Sequence, residues 1–423
     1  RIQNLEFYIK QSESQTLQIY QQEVERLTFS DEAVAFIEGE YQGHRGATFV
    51  ENMATARLDE HLETIKQMAV HDRIPFQPRR PADVAALKTK LYGLPSVEEL
   101  AQKAKEAEQA AYDYDQRIDN VSACSYGAVR EKISLLNADG TEAVDHLHYD
   151  QFRFGLLAKE GGLVQTASEN KLFKPDDRPD LVGTQKALSQ LTAAPVKTGE
   201  YPIILENRPA AELILAFLPG FYADRVQKKM SVLADRPGEK IAASNFNLIE
   251  DPALAAGIVT RNFDDEGTLT KRKDIVSEGV LQTFFHNSET AKLAKTKSTG
   301  NGFKRQYRER PHVLPTNILI PGGKRQFNDL LSTMAEGLVV TDCDGIFAGA
   351  NPVSGDFSLI AKGYSVKGGV LKDAVNQITI GGNFYEMLEQ ITELGNDYAW
   401  AGSPAGFVQA PSLLLKRLFV SGS

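Results

Sequence analysis

The strongest constraint on the fold is a pattern of strands followed by a helix that occurs twice in the first half of the chain. Segments 16–29 and 33–50 are rich in β-branched and aromatic residues and are interrupted by glycine, which is typical of strands. They lead into 58–70, whose apolar residues keep helical spacing. Strand-like sequence returns across 129–157, and 181–191 follows as a short helix. We therefore predict a duplicated α+β module, each copy a strand meander with a helix.

A further helix is predicted between the two sets of strands, over residues 95–118. Ser96 and Glu99 have the spacing of a capping box, and the apolar residues after them repeat along one helical face. Asp139 and Gly140 favour a tight hairpin within the later strands. These features predict a first module over 1–77, a proline-rich linker over 78–95 and a second module over 96–197.

The remaining residues, 198–423, have the pattern of one large β-rich domain. Several short strand-like segments are interrupted by two predicted helices, 325–337 and 383–397, the second of which is closed by Gly395. Strands and helices do not alternate regularly, which argues against a doubly wound parallel sheet. The predicted class is α+β, with repeated modules followed by a mostly antiparallel C-terminal domain that also carries helices.

The charge and composition of the chain argue against several classes of partner. The formal net charge is −9, which disfavours a large phosphate-binding surface, so we expect no direct binding of nucleic acid. No apolar run approaches the roughly 18 residues that a membrane helix needs. The opening residues lack a secretory pattern, and two cysteines, Cys124 and Cys343, are too few for a disulfide framework. We therefore predict a cytoplasmic protein that does not bind membranes.

Histidines and glycine-rich segments give only weak signals for a metal or phosphate site. His146 and His148 alternate along a predicted strand, so both side chains share one face, and such a pair can bind a metal. Their position beside a predicted hairpin favours an ordinary solvent-facing pair instead. The segment STGNG, residues 298–302, follows a helix and does not open one. We interpret it as a tight turn that lets a backbone approach closely, not as a phosphate loop.

Two clusters of acidic residues are candidates for acid–base or metal chemistry. Residues 262–268, with the sequence NFDDEGT, lie between apolar runs, and we predict a surface hairpin there. Asp342, Cys343 and Asp344 follow a buried-looking strand, which makes them a candidate site. A cysteine nucleophile needs a neighbouring base, and the adjacent runs hold no histidine.

Several motifs of the last domain resemble the TldD/PmbA family, once called modulators of DNA gyrase. They are, in order, FDDEGTLTKRKDIVSEGVLQTFFH with STGNG, then GLVVT, SGDFSLIAKGYSVKGG, ITIGGNF and PSLLLKRLFV. The resemblance covers most of the chain and implies a cytoplasmic zinc metalloprotease built from two related subunits, TldD and TldE (PmbA). In the TldD type, a His-Glu-x-x-x-His box supplies two zinc ligands and the general base, and a later cysteine supplies a third ligand.

The positions that match this box carry no zinc ligand in the present chain. Alignment on YPIILENRPAAELI places the first two box positions at Leu215 and Ala216 and the last at Gly220. Catalytic zinc takes imidazole, thiolate or carboxylate ligands, which these residues lack. The family's cysteine position falls near Val340, and Cys343 lies three residues further on. The resemblance therefore implies a TldE/PmbA-like chain without catalytic or metal residues, so zinc is expected only in a TldD-like partner.

The function implied is that of a subunit that walls a chamber and helps to hold an extended peptide or unfolded polypeptide. Candidates for lining this groove by backbone pairing are Ser298, Thr299, Gly300, Asn301, Gly302, Ser354, Gly355, Asp356 and Phe357. When made alone, the chain is predicted to form a homodimer through the C-terminal domain, which carries the apolar stretch 213–222, in preference to the charged N-terminal modules. Two alternatives stay open: a stand-alone peptidase that uses residues 342–344 or His146 and His148, and a homodimeric binding protein without catalysis.

Overall fold

The structure is a computed structural model that describes residues 1–51, 57–73, 91–138, 140, 142–175, 183–403 and 406–423. The first half of the chain contains β1 (Gln3–Tyr20), β2 (Glu23–Tyr41), β3 (His44–Val50), α1 (Leu58–Asp72), α2 (Val97–Tyr114), β4 (Ile118–Asn137), β5 (Glu142–Glu160), β6 (Leu163–Phe173) and α3 (Gly183–Ser189). The strands form one six-stranded antiparallel sheet, the N-terminal sheet, with the order β3-β2-β1-β4-β5-β6.

The order of strands in the N-terminal sheet agrees with the duplication that the sequence predicts. Strands β1, β2 and β3 form one meander that leads into α1, and β4, β5 and β6 form a second that leads into α3. The two meanders meet where β1 pairs antiparallel with β4, from Glu6 opposite Asn137 to Ile19 opposite Cys124. The predicted class is therefore confirmed, and the two modules share a single sheet.

Helix α2 packs on the middle of the N-terminal sheet and begins where the sequence predicts. The Ser96 hydroxyl accepts a hydrogen bond from the Glu99 N–H at 3.1 Å, and the Glu99 carboxylate accepts one from the Ser96 N–H at 3.0 Å. The predicted capping box is thus confirmed. Leu100 on the apolar face of the helix is fully buried. Asp139 of the predicted hairpin and residues 78–90 of the predicted linker lie outside the described residues.

The C-terminal domain, from residue 199 onward, is built on two six-stranded sheets and one two-stranded sheet. Its strands are β7 (Gly199–Leu205), β8 (Leu248–Glu250), β9 (Lys273–Ser277), β10 (Val280–Leu281), β11 (Gly302–Phe303), β12 (His312–Val313), β13 (Asn317–Leu319), β14 (Gly337–Asp344), β15 (Asp356–Lys367), β16 (Val370–Asn383), β17 (Ile391–Leu394), β18 (Ala399–Ser403), β19 (Gly406–Ala410) and β20 (Leu413–Ser421). Its helices are α4 (Asn207–Phe217), α5 (Ala223–Gln227), α6 (Ser288–Leu293), α7 (Phe327–Met334), α8 (Ile346–Gly349) and α9 (Phe384–Glu389).

Both six-stranded sheets of this domain are mostly antiparallel, as predicted. One has the order β16-β15-β14-β7-β20-β17, and β16 also pairs with β20, so this sheet curls back on itself. The other has the order β10-β9-β8-β13-β19-β18. Parallel pairing occurs between β7 and β14 and between β13 and β19. The two sheets face each other across the largest apolar core of the described structure.

One predicted helix of the C-terminal domain is shorter than expected. Helix α9 ends at Glu389, and the next residues form β17, in which Ile391 pairs with Leu415 of β20. Ile391 and Leu394 are buried by that pairing, so a tertiary contact overrides the helical spacing of the sequence. The prediction of a helix that continues to Gly395 is therefore wrong.

Helix α4 is the central element of the C-terminal domain. It lies between the two sheets and contacts β14 on one side and β18 and β19 on the other. Leu213, Ile214 and Phe217 are at most 1% exposed, and the 3₁₀ turn Leu218–Phe221 continues the same core. The stretch 213–222 is therefore core and supplies no exposed interface. Although α4 is strongly apolar, no helix within the described ranges is long and apolar enough to cross a membrane.

A set of buried charges joins the N-terminal sheet to the C-terminal domain. Asp145 on β5 accepts hydrogen bonds from the Arg261 guanidinium at 3.2 Å and from the Asn262 N–H at 2.9 Å. Arg261 also donates to Asp265 at 2.7 Å, and both side chains are buried. The hairpin predicted over residues 262–268 is present. The prediction that it lies at the surface is wrong, because the N-terminal sheet covers this turn and Asp145 bonds to it.

Candidate functional site

The box positions implied by the resemblance lie at the C-terminal end of α4. Leu215 and Ala216 are 3% and 5% exposed, and Gly220 is buried in the turn that follows. Pro209 stands in the first helical turn, where no backbone N–H has to be paired, and apolar residues then keep the helix between the sheets. The side chains at the box positions offer no nitrogen, oxygen or sulfur. They do not fit a zinc ion.

The hydroxyl of Tyr385 fills the space beside Gly220. A Cβ atom added to Gly220 would lie 2.2 Å from the Tyr385 hydroxyl oxygen and 3.5 Å from the ring carbon that carries it. That oxygen is buried, and burial raises the pKa of Tyr385 to about 12. A histidine at position 220 would have to displace Tyr385. The last box position is therefore closed by the packing around it as well as by the residue it holds.

The position of the third ligand is closed in a similar way. Val340 is 1% exposed on β14, in register with Leu205 of β7. Cys343 follows on the same strand, after a bulge, and is 8% exposed. Burial raises the pKa of the Cys343 thiol far above its usual value, and the nearby Asp342 carboxylate adds to the shift. A thiol held in its neutral form is a poor nucleophile, which argues against a cysteine-based reaction.

Replacing Cys343 by alanine is expected to lower the free energy of unfolding by only about 1–2 kcal/mol, because the change leaves a small cavity in a core strand. Cys343 and Cys124 are both buried, and burial raises the pKa of Cys124 to about 12. In the native protein, both should therefore resist the thiol reagent DTNB and react with it only after unfolding. Urea denaturation and thiol titration test this. Rapid labelling of Cys343 in the native protein would support the alternative hypothesis of a peptidase with Cys343 as nucleophile. So would a loss of activity in the Cys343→Ala variant when that variant is folded and assembled.

Charged side chains surround the N-terminal end of α4. Arg208 donates from Nη2 to Asp342 at 2.5 Å and from Nη1 to the carbonyl of Ser168 on β6 at 3.0 Å. Glu212, one turn further along α4, is half-buried, and burial raises its pKa. Asp344 is exposed. Of the three candidate residues on β14, Asp342 is in an ion pair, Cys343 is in the core and Asp344 faces solvent. Their side chains therefore do not converge on one point.

His146 and His148 share one face of β5, as the sequence predicts, with ring centroids 6.0 Å apart. Both are half-buried; burial, with Lys132 nearby, lowers the pKa of His146, and Tyr92 packs edge-on against His148. In the part of the chain that the structure describes, no group of three or more His, Cys, Asp or Glu is arranged to hold a metal ion. Two imidazoles are fewer ligands than a protein zinc site uses.

The first predicted groove segment uses its polar groups inside the C-terminal domain. The hydroxyls of Ser298 and Thr299 both donate to the carbonyl of His286, at 3.2 and 3.0 Å. Asn301 is fully buried and donates to the Glu250 carboxylate at 2.9 Å. The glycines on either side of Asn301 are buried as well. Pairing with a peptide would require some of these bonds to be released.

The second groove segment is likewise bonded within the domain. Ser354 accepts a hydrogen bond from the Asn383 side chain at 3.0 Å, and the same side chain donates to Asp356, which lowers the pKa of that carboxyl. Gly355 has φ +89°, a conformation that favours glycine. Phe357 is 4% exposed and contacts the α4 core. The roles of both segments in a peptide groove stay predictions.

Sequence reasoning missed Tyr385, the residue that closes the last box position. It lies far from Gly220 in the chain, and no local pattern links the two. The one available signal is Gly220 itself, since a residue without a side chain, placed where the resemblance to the TldD type implies a histidine, leaves space for a neighbour. Arg208 was also missed, because its partners Ser168 and Asp342 come from distant strands.

Comparison with protein families and individual sequences gives matches over both halves of the chain. Residues 198–422 match the PmbA/TldA metallopeptidase C-terminal domain, and residues 92–180 match the central domain. The chain is 29% identical over 338 residues to a metalloprotease PmbA homolog of Haemophilus influenzae, covering 77% of this chain and 70% of that protein. It is 28% identical over 333 residues to metalloprotease PmbA of Escherichia coli O157:H7, with the same coverage.

Solved structures share the fold along almost the whole chain. A putative modulator of a DNA gyrase from Thermotoga maritima superposes with a TM-score of 0.89 and 26% identity, over 99% of this chain and 96% of that one. TldE from Thermococcus kodakarensis superposes with a TM-score of 0.81 and 22% identity, over 99% and 97% of the two chains. The latter likeness shows a common fold.

Proposed function

Because the chain belongs to the PmbA/TldD metallopeptidase family, we propose that it is a TldE/PmbA-like subunit of a two-chain peptidase. In this proposal a TldD-like partner supplies the zinc ion and the catalytic groups. The present chain forms part of the wall of the chamber in which a peptide or unfolded polypeptide is cleaved. It contributes neither a metal ligand nor a catalytic side chain.

The observation that carries the proposal is the state of the box positions. Leu215 and Ala216 are packed into the core, and the Tyr385 hydroxyl occupies the space that a side chain at Gly220 would need. A chain that retains the family's fold while its metal position is filled with apolar packing is suited to a structural role in the assembly. The alternative of a peptidase based on Cys343 is disfavoured by burial of that thiol. A homodimeric binding protein remains the second candidate, and the assembly test below separates the two.

Strand β2 of the N-terminal sheet carries the surface that we propose for contact with the partner. Val24, Leu27 and Phe29, called the β2 strip below, are 44%, 47% and 59% exposed. The register places Leu27 opposite the buried Leu17, so Leu27 lies on the face of the sheet that α2 covers elsewhere. Strand β3 pairs with β2 only from Ala35 onward, so the outer edge of β2 before that residue has no strand neighbour among the described residues. An open strand edge with apolar side chains is a natural surface for pairing with another chain.

The occupant proposed for this edge is a second subunit of the same fold. Antiparallel pairing of two β2 edges about Phe29 would set Arg26 of one chain opposite Glu32 of the other, and the two-fold axis would repeat the pair. The chain made alone would then form a homodimer through the edge that otherwise receives the TldD-like subunit.

Co-expression with a TldD-like chain tests the proposal. The isolated protein is expected to carry substoichiometric zinc and to leave fluorescein-labelled casein uncleaved. The co-purified pair is expected to bind about one zinc ion per pair, because one box per pair offers ligands, and to cleave the casein. A partner whose first box histidine is replaced by alanine should still assemble but should not cleave.

Two results would overturn the proposal. Stoichiometric zinc together with cleavage by the isolated chain would make it a stand-alone peptidase. Failure to assemble with any TldD-like chain, with a stable homodimer instead, would favour the binding protein.

A further inference from the structure

A cleft of about 550 Å³ lies where β6 of the N-terminal sheet meets α4 and β18 of the C-terminal domain. Aromatic side chains form much of its wall, namely Phe173, Phe327, Tyr398 and Trp400. Pockets of about 300–1,000 Å³ are of a size to bind ligands. The cleft is at the N-terminal end of α4, and none of the box positions or predicted groove residues lines it.

Both strands that border the cleft are edge strands. Among the described residues, β6 pairs with β5 alone and β18 with β19 alone. The Ser168 carbonyl points away from β5, because it accepts the hydrogen bond from Arg208. Main-chain groups alternate in direction along a strand, so the N–H and C=O of Asn170 point to the same outer side. The border of the cleft therefore offers the N–H and C=O of Asn170 for strand pairing, next to a Ser168 carbonyl that Arg208 already occupies.

Charges around the cleft are balanced and largely paired with one another. Lys186 contacts Glu206 at 3.2 Å, Lys171 contacts Glu169 at 3.4 Å, and Arg208 is held by the ion pair described above. A strongly charged ligand such as a nucleotide would meet as many carboxylates as cations. A ligand with little net charge, many hydrogen-bonding groups and apolar side chains complements this surface better.

We propose that the cleft binds an extended polypeptide segment, which adds to the edge of β6 as a further strand and packs apolar side chains against Trp400 and Tyr398. This inference rests on the proposed function, since it names the place at which this chain holds the substrate of the two-chain peptidase. It is tested on the isolated chain, so its outcome is independent of assembly with a partner and of cleavage.

Trp400 is the single tryptophan of the chain, so its fluorescence reports directly on the cleft. The probe is the nine-residue peptide Lys-Thr-Val-Thr-Phe-Thr-Val-Thr-Glu, and the control is the same peptide with every internal amide methylated. The first peptide is expected to shift the tryptophan emission saturably. The methylated peptide, which cannot donate main-chain hydrogen bonds, is expected to leave the emission unchanged.

Variants then locate the binding, with a fluorescein-labelled form of the peptide followed by anisotropy. Trp400→Ala is expected to weaken binding at least roughly tenfold, because it removes an aromatic anchor. Asn170→Pro removes one outward N–H from an edge strand, where proline is tolerated, and should weaken binding about fivefold. Phe419→Ala is the matched control, since this residue is 50% exposed on β20 and does not line the cleft. It should bind as the parent chain does.

The inference is overturned if the unmethylated peptide causes no change in emission or anisotropy at millimolar concentration. It is equally overturned if Trp400→Ala and Asn170→Pro, both shown to be folded by circular dichroism, bind as tightly as the parent chain. Were Asn170→Pro to misfold, Trp400→Ala and the methylated peptide would still decide the question. A chain that binds no peptide but assembles with a TldD-like partner and supports cleavage would sink this inference and leave the proposed function standing.

Discussion

Replacing Gly220 by alanine is expected to lower the free energy of unfolding by about 3 kcal/mol, because the new methyl group would lie 2.2 Å from the Tyr385 hydroxyl oxygen within the core. The backbone at Gly220 does not have a positive φ, so conformational strain is not the cause. The loss should come from one collision with one oxygen atom. Urea denaturation followed by far-ultraviolet circular dichroism measures it.

A second substitution makes this prediction specific. Tyr385→Phe removes the colliding oxygen, and the ring carbon left behind would lie 3.5 Å from the new methyl group, an ordinary contact. Most of the lost stability should return in the double variant, whereas Tyr385→Phe alone should be nearly neutral.

Gly349→Ala is the matched control for this rescue. Its new methyl group would lie 2.3 Å from the Ser358 carbonyl oxygen, a main-chain atom that Tyr385→Phe does not move. No rescue is therefore expected there. If Gly220→Ala proves as stable as the parent chain, or if Tyr385→Phe does not restore it, the account of the closed box position is wrong.

Aspartate at both Leu27 and Phe29 is expected to abolish assembly while leaving the chain folded. These side chains of the β2 strip are 47% and 59% exposed, so the change buries no new charge in the isolated chain. In a pair of β2 edges joined about Phe29, the two new carboxylates at position 29 would face each other, and the one at position 27 would face Asp31 of the other chain. We expect the dissociation constant to rise roughly 100-fold or more, for the homodimer and for the pair with a TldD-like chain alike. Sedimentation velocity measures both.

The control for this experiment carries the same charges elsewhere. Val370 and Leu371 are 49% and 41% exposed at the start of β16 in the C-terminal domain, and aspartate at both should leave assembly unchanged. Thermal melting should show that both double variants remain folded. A chain altered in the β2 strip that still dimerises with its original affinity would place the interface elsewhere on the molecule.

Features that depend on neighbouring residues could be predicted from the sequence. The capping box of α2 was predicted correctly, because Ser96 and Glu99 are three residues apart and each side chain accepts a hydrogen bond from the other's backbone N–H. The shared face of His146 and His148 was also predicted, since alternation along a strand is a property of the backbone. The absence of ligand atoms at Leu215, Ala216 and Gly220 was visible once the motifs of the family had been aligned.

Features that depend on distant parts of the chain could not be predicted. Residues 262–268 have the composition of a surface turn, yet Asp145 from another sheet covers them and neutralises Arg261. Ile391 and its neighbours have helical spacing, yet they form a strand because they pair with β20. The cleft is formed by elements from both halves of the chain. A sequence pattern does not show which strand edges lie next to each other in the folded protein.

The central pairing of the N-terminal sheet also has a consequence for synthesis of the protein. Strand β1 can pair with β2 as soon as the hairpin leaves the ribosome. The other edge of β1 stays unpaired until β4 has been synthesised, because Asn137 of β4 pairs with Glu6. At 5–20 residues per second, the intervening chain takes on the order of ten seconds to emerge. Over that interval the nascent hairpin exposes Leu17 and Ile19 beside an unsatisfied strand edge, a template for pairing with other chains. Holdase chaperones should therefore engage this protein most strongly before β4 has been translated, and slow codons upstream of Ile118 should lower its soluble yield.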